Sequence, residues 1–240
     1  MEKKRIFIWM CALTVLAGLI NTLSIRNFAI TVSHITGIVS NTAISIYNGT
    51  PANAGWLLSV VGAFLAGAII SAYITGERKF FLRRIYGYIV IAIGVMLFVG
   101  VHTLSREGRM IVYLFALLMG IQNGMIVSFK GVLVRMTHMT GYLTDLGVYI
   151  GYRLRGEIKE DVWMGIVPAS GLAVFTLGGI LGLWMFSKIG YGAYDVTAAA
   201  YIVLGIAYLV HQKHINNMNL DDIPDDEQVF SIENAMVTED

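Results

Sequence analysis

The stretch Ser33-His34-Ile35-Thr36-Gly37-Ile38-Val39-Ser40-Asn41 recurs without a gap as Thr137-His138-Met139-Thr140-Gly141-Tyr142-Leu143-Thr144-Asp145. The shared pattern is hydroxyl, His, apolar, Thr, Gly, two apolar residues, hydroxyl, then Asn or Asp. The register extends backwards, pairing Arg26 with Lys130 and Ser24 with Ser128. A two-residue adjustment also pairs Gly18 and Asn21 with Gly120 and Asn123. Chance readily supplies a Thr-Gly pair in a glycine-rich chain, but not a long match that includes His. The chain therefore reads as two membrane repeats, 1–104 and 105–211, followed by an acidic tail, 212–240.

The surroundings of both stretches are those of a bilayer protein. Of the 240 residues, 56% are hydrophobic and 14% charged, and mean hydropathy is +0.68; soluble domains carry about 25% charged residues. The charges are segregated. None lies within 6–25, 27–76, 85–105, 110–129 or 162–187, and about 20 apolar residues suffice to cross a ~30 Å hydrocarbon core. This pattern excludes a nucleic-acid binder, a disulfide-stapled secreted domain and an ordinary soluble enzyme. Cys11 is the only cysteine, so neither an intrachain disulfide nor a thiolate metal cage can form. The apolar run after Met1–Arg5 is long for a signal-peptide core and reads as a first spanning helix. Residues 221–240 hold eight of the sixteen Asp and Glu and no Lys or Arg, the composition of a solvated, disordered cytoplasmic end.

Eight hydrophobic segments follow one another: 6–25, 29–48, 54–76, 84–104, 110–128, 131–152, 162–186 and 193–211. The second and sixth carry the duplicated motif and are polar, so neither suits lipid on all sides. Basic residues decide how they sit. If all eight span, as a 4+4 parallel repeat, nine of the seventeen Lys and Arg fall inside and eight outside, which is no bias. If segments two and six are re-entrant, thirteen fall inside and four outside: Arg26, Arg106, Arg109 and Lys188. The positive-inside rule prefers the second arrangement. The expected fold is thus an all-α integral membrane protein, a 3+3 inverted repeat with two re-entrant, broken helical segments and both termini cytoplasmic. In such repeats the binding site lies near the midplane where the broken segments meet.

Gly37 and Gly141 permit a tight turn or a close backbone approach. Thr36 and Thr140 stand where a hydroxyl can cap the half-helix that follows, and the free amides of such half-helices favour an anionic or strongly polar solute. His34 and His138 can bind a solute, relay a proton or anchor the turn. Asp145 replaces Asn41, and an intramembrane carboxylate is a candidate for proton or cation coupling, with an ion pair to Arg135 as the structural alternative. Asn21, Gln122 and Asn123 either glue helices together or line the cavity. The site set is therefore His34, Thr36, Gly37, Asn41, His138, Thr140, Gly141, Asp145, Asn21, Gln122 and Asn123, with no metal or cofactor.

The order Ala17-Gly18-x-x-Asn21, His34-x-Thr36-Gly37, Ala63-Phe64-x-x-Gly67, Met119-Gly120-x-Gln122-Asn123 and Thr137-His138-Met139-Thr140-Gly141 resembles the YoaK-like family of bacterial membrane proteins. The resemblance covers the membrane part, residues 8–211. It implies a prokaryotic cytoplasmic membrane and supplies no substrate, since that family's function is unknown. The expected activity is non-enzymatic: a small-solute transporter or channel, with the bilayer and a small polar or anionic solute as partners, no nucleic acid, and room for a homo-oligomer. The rival expectations are a membrane-embedded enzyme acting on a lipid and a regulatory scaffold that uses the acidic tail.

Overall fold

The computed structural model describes residues 2–76, 84–105, 108–125, 127–129, 132–156 and 161–216. The acidic tail beyond 216 and the basic connectors 77–83 and 157–160 lie outside these residues. Among the described residues eight helices carry the fold: α1 (Glu2–Phe28), α2 (Ile35–Tyr47), α3 (Pro51–Thr75), α4 (Arg84–Thr103), α5 (Arg109–Gly124), α6 (Met139–Leu154), α7 (Trp163–Ile189) and α8 (Gly192–Asn216). Between α5 and α6 runs a short antiparallel pair, β1 (Val127–Phe129) with β2 (Val132–Val134), in which Val127 faces Val134 and Phe129 faces Val132. Five of these described helices are long and apolar enough to cross a membrane: those at 4–28, 51–75, 84–103, 163–189 and 192–212. The chain is thus a helical protein with the makings of a membrane bundle.

In each duplicated stretch non-helical residues lead into a short helix, which begins at Ile35 in the first and at Met139 in the second. α1 ends at Phe28, and residues 29–34 double back along it before α2 begins. Two side-chain bonds fix that return: Ser24 Oγ donates to the Ile30 carbonyl (3.0 Å) and Ser33 Oγ donates to Asn21 Oδ1 (2.9 Å). In the second half β1 leads out from the end of α5 and β2 leads back. Buried residues alternate along both returning segments, Ile30 and Val32 in one, Val134 and Met136 in the other. This alternation is that of an extended chain pressed against a core on one side.

The glycines set which helices touch and in which direction. A Cβ on Gly18 would overlap the Phe175 carbonyl, and one on Gly178 would overlap the Val15 carbonyl, so α1 and α7 meet backbone to backbone. Gly120 against Phe64, and Gly67 against Leu117, make the same contact between α5 and α3. Small residues of this kind let membrane helices approach closely. Along α1–α7 the contacts run from Phe7–Trp163 to Arg26–Phe186, so these helices are parallel. Contacts from Arg109–Trp56 to Gly124–Ser71 make α3 and α5 parallel as well. The α4–α8 pair is antiparallel: Gly87 meets Leu209, Gly94 meets Ala198 and Ile202, and His102 lies 3.7 Å from Asp195. Gly205 in turn meets Gly87 and Ile91. The partners of Gly94 and of Gly205 are thus interchanged when every number is moved by 111. The short helices sit at the edge of this bundle, α2 on α3 and α6 on α7.

Candidate functional site

Each broken segment has the same local construction. The residue that starts the helix is the histidine: His34 is the N-cap of α2 and His138 the N-cap of α6, and neither makes a side-chain capping bond. The expectation that Thr36 and Thr140 cap these helices is therefore corrected. Both threonines lie inside the first turn, where a side chain points away from the orphan amides, and both are exposed. The His and Gly of the motif are partners. A Cβ on Gly37 would lie 2.8 Å from His34 Nδ1, and one on Gly141 would overlap the His138 ring. The ring folds over the first turn of its own helix, and only glycine leaves it room. The spacing His-x-x-Gly thus has a packing cause, and both rings remain exposed.

Behind each turn stands an asparagine on the preceding helix. Asn21, buried, accepts the Ser33 hydroxyl; Asn123 Oδ1 accepts both the Thr137 hydroxyl (3.0 Å) and the Thr137 backbone N–H (3.3 Å). Asn123 Nδ2 also donates to the Met119 carbonyl (2.8 Å). These two residues position the turns. Gln122 is not beside them. It is fully buried, donates from Nε2 to the Leu13 carbonyl (2.8 Å), and accepts the Tyr201 hydroxyl at Oε1. Its amide joins α5 to α1 and α8, which removes it from the candidate site and assigns it to the bundle core.

Asn41 and Asp145 occupy the same exposed place on α2 and α6, about one turn beyond the glycine. Asp145 forms no ion pair with Arg135 among the described residues, and Arg135 is itself exposed. The buried face of each short helix is likewise duplicated, with Ile38 in α2 matching Tyr142 in α6. The two helices pack on α3 and α7 respectively, and His34, Thr36, His138 and Thr140 of the two turns are exposed. No group of three His, Cys, Asp or Glu side chains able to hold a metal ion occurs among the described residues.

A family model described as "Protein of unknown function (DUF1275)" matches residues 9–209. The chain belongs to the DUF1275 family. The matched span takes in every element from α1 through most of α8, including both broken segments, so the duplicated turn lies within the family's own extent. No curated protein and no solved structure matches this DUF1275 chain.

Proposed function

We propose that this DUF1275 protein is a small-solute transporter or channel of a bacterial inner membrane, a YoaK-like 3+3 inverted repeat whose two His-x-Thr-Gly turns form the solute site. Helix direction carries this reading. With α1 running outward, a parallel α7 and a parallel α3–α5 pair are compatible with either eight spans or six. Eight alternating spans would make α4 and α8 parallel, whereas they are antiparallel. Re-entry at only one segment would reverse α7 against α1. Two re-entrant segments satisfy all three directions. A two-fold axis that exchanges antiparallel spans lies in the membrane plane, which is the inverted kind of repeat.

The sixth span is α5 with its extension. Sixteen helical residues rise about 24 Å, and the three residues of β1 add about 10 Å, enough for the hydrocarbon core. Exposed aromatic residues with polar tips fall at the two ends expected of membrane interfaces, Tyr47 and Trp184 outside, Tyr73, Tyr88 and Tyr152 inside. Non-helical backbone at membrane depth is tolerated where it lines a cavity. Here the half-helix N-termini carry first turns without a side-chain cap, two exposed imidazoles and two exposed threonine hydroxyls, a set suited to a small anionic or strongly polar solute.

The test is a thermal-stabilisation screen of purified protein against small anions, amides and polar metabolites, repeated with His34→Ala and His138→Ala. A ligand that raises the midpoint of the native protein and loses its effect in both variants supports the site. Ligands whose effect survives both substitutions remove it.

A further inference from the structure

The repeat can be followed contact by contact. The Gly18–Phe175 and Gly178–Val15 contacts become Gly120–Phe64 and Gly67–Leu117 when α1 is moved by 102 residues onto α5 and α3 by 111 onto α7. The match fails at the end of α5. A Cβ on Gly124 would lie 2.8 Å from the Cβ of Ser71 in α3, and the corresponding positions in α1 and α7 are Thr22 and Gly182. Ser71 thus brings a hydroxyl where its counterpart has no side chain. It is fully buried, and its Oγ has no hydrogen-bond partner among the described residues. The other buried hydroxyls are all engaged. Thr14, Thr42, Thr75 and Thr197 donate to carbonyls three or four residues back in their own helices, Ser24 donates to Ile30, and Ser45 accepts from Asn53. Such a back-bond is the usual recourse of a helical hydroxyl away from water. The backbone is open at the same place. In a continuing helix the carbonyls of Asn123 and Gly124 would accept from the amides of residues 127 and 128, but Val127 and Ser128 belong to β1. Their counterparts Asn21 and Thr22 lie within α1, which runs on to Phe28. A spare hydroxyl and freed carbonyls therefore occur together in one copy of this crossing, and neither occurs in the other.

We propose that the Ser71 hydroxyl and the Asn123 and Gly124 carbonyls bind a monovalent cation, sodium, at the end of α5. All three donors are neutral oxygens. Divalent hard cations are usually held by carboxylates, whereas a monovalent ion exchanges its hydration shell for carbonyl and hydroxyl oxygens. The helix end supplies the field, since a C-terminus carries about half a negative charge, and half-helix C-termini at membrane depth are where transporters hold Na⁺. The close α3–α5 approach at Gly67 and Gly120 keeps the gap narrow, which favours sodium over the larger potassium. Asn123 then serves the second turn twice: its side chain accepts the Thr137 hydroxyl, and its carbonyl faces the ion. The proposal takes from the functional reading only the membrane depth of α5. A chain that carries no solute still binds the ion, and loss of the ion leaves the His34 and His138 site in place.

The experiment is thermal unfolding of the purified full-length chain at constant ionic strength, with NaCl or KCl replacing choline chloride stepwise. Sodium at ten times its dissociation constant should raise the midpoint by about 3–6 °C, and potassium should raise it less. Ser71→Ala separates an ion from a hidden protein contact. In choline it removes an unsatisfied hydroxyl, so its midpoint should equal or exceed that of the native chain. In sodium the order should reverse, because the variant gains nothing from the ion. Ser59→Ala, which loses only a hydroxyl bonded to the Trp56 carbonyl and to Tyr113, should keep the sodium response. A native midpoint indifferent to sodium overturns the proposal, and so does a sodium response that survives Ser71→Ala. An equal loss from Ser71→Ala in both salts would refute it too, by showing that a protein group or a water holds the hydroxyl. An equal rise with potassium would overturn the assignment to sodium.

Discussion

Replacing Gln122 with Leu tests whether one buried amide holds three helices together. The side chain keeps its approximate volume, so the loss is polar. Two hydrogen bonds disappear, each worth about 0.6 kcal/mol on average and up to ~1.7 inside a membrane bundle. The Tyr201 hydroxyl, which is fully buried, then has no acceptor, at a further cost of about 1–3 kcal/mol. The expected loss is thus about 2–4 kcal/mol. Tyr201→Phe removes the donor instead and leaves Gln122 Oε1 open, costing about 1–2 kcal/mol. Since both variants break the same bond, the double variant should be no worse than Gln122→Leu by more than ~0.5 kcal/mol, giving a coupling of about 1–2 kcal/mol. Unfolding of purified protein in mixed micelles, followed by circular dichroism, measures each corner of the cycle. Additive losses, with coupling below about 0.3 kcal/mol, would show that the amide does not join α5 to α8.

The asparagines behind the turns should differ in the same assay. Asn123→Leu, which removes two bonds to Thr137 and one to Met119, is expected to cost about 1–3 kcal/mol, and Asn21→Leu, which removes one to Ser33, about 1 kcal/mol less; equal losses would deny that the second turn is the more firmly tied. Gly141→Val should displace the His138 ring outright, whereas Gly37→Ala needs only a smaller shift of His34, so ligand-induced stabilisation should fall more in the former; the reverse order would mean the rings do not bear on the site. Asn48→Cys in a Cys11→Ser background should react with a membrane-impermeant thiol reagent in intact cells, because a re-entrant α2 leaves the 48–50 turn outside. Labelling only after permeabilisation would make α2 a full span and remove the inverted repeat.

The long helices were legible because lipid demands one simple thing of a sequence, a charge-free apolar run, and the predicted segments 84–104 and 162–186 differ from α4 and α7 by a few residues at their ends. The duplication was legible from side chains alone, and the Asn21–Asn123 match needed its two-residue adjustment because the outward path is helical in one half and a β1–β2 hairpin in the other. The hairpin itself left a readable signal, with Val127 and Val132 among apolar neighbours on either side of Lys130-Gly131, a short turn-compatible connection. It was obscured because the run around it is as hydrophobic as a span. Partner choice was not legible. Nothing in the sequence says that Gln122 meets Leu13 and Tyr201 while its neighbour Asn123 meets Thr137. Adjacent residues on a helix point about 100° apart, and which direction leads to the core depends on helices distant in the chain. The histidines illustrate the same limit, since an N-cap without a capping bond carries no compositional mark.

The main helix pairings, α1 with α7, α3 with α5 and α4 with α8, all join one half of the chain to the other. During synthesis α1 therefore enters the bilayer well over a hundred residues before its partner is made, and its glycine-lined groove at Gly18 must meanwhile be filled by lipid or a chaperone. Residues 1–104 made alone should be degraded or remain loosely packed, whereas the same fragment co-expressed with 105–240 should reassemble, because every glycine crossing between the halves is available once both are present. Quality control of this protein consequently acts late: a defect in α7 leaves α1 unpartnered, so a lesion near the end of the chain is felt at its beginning.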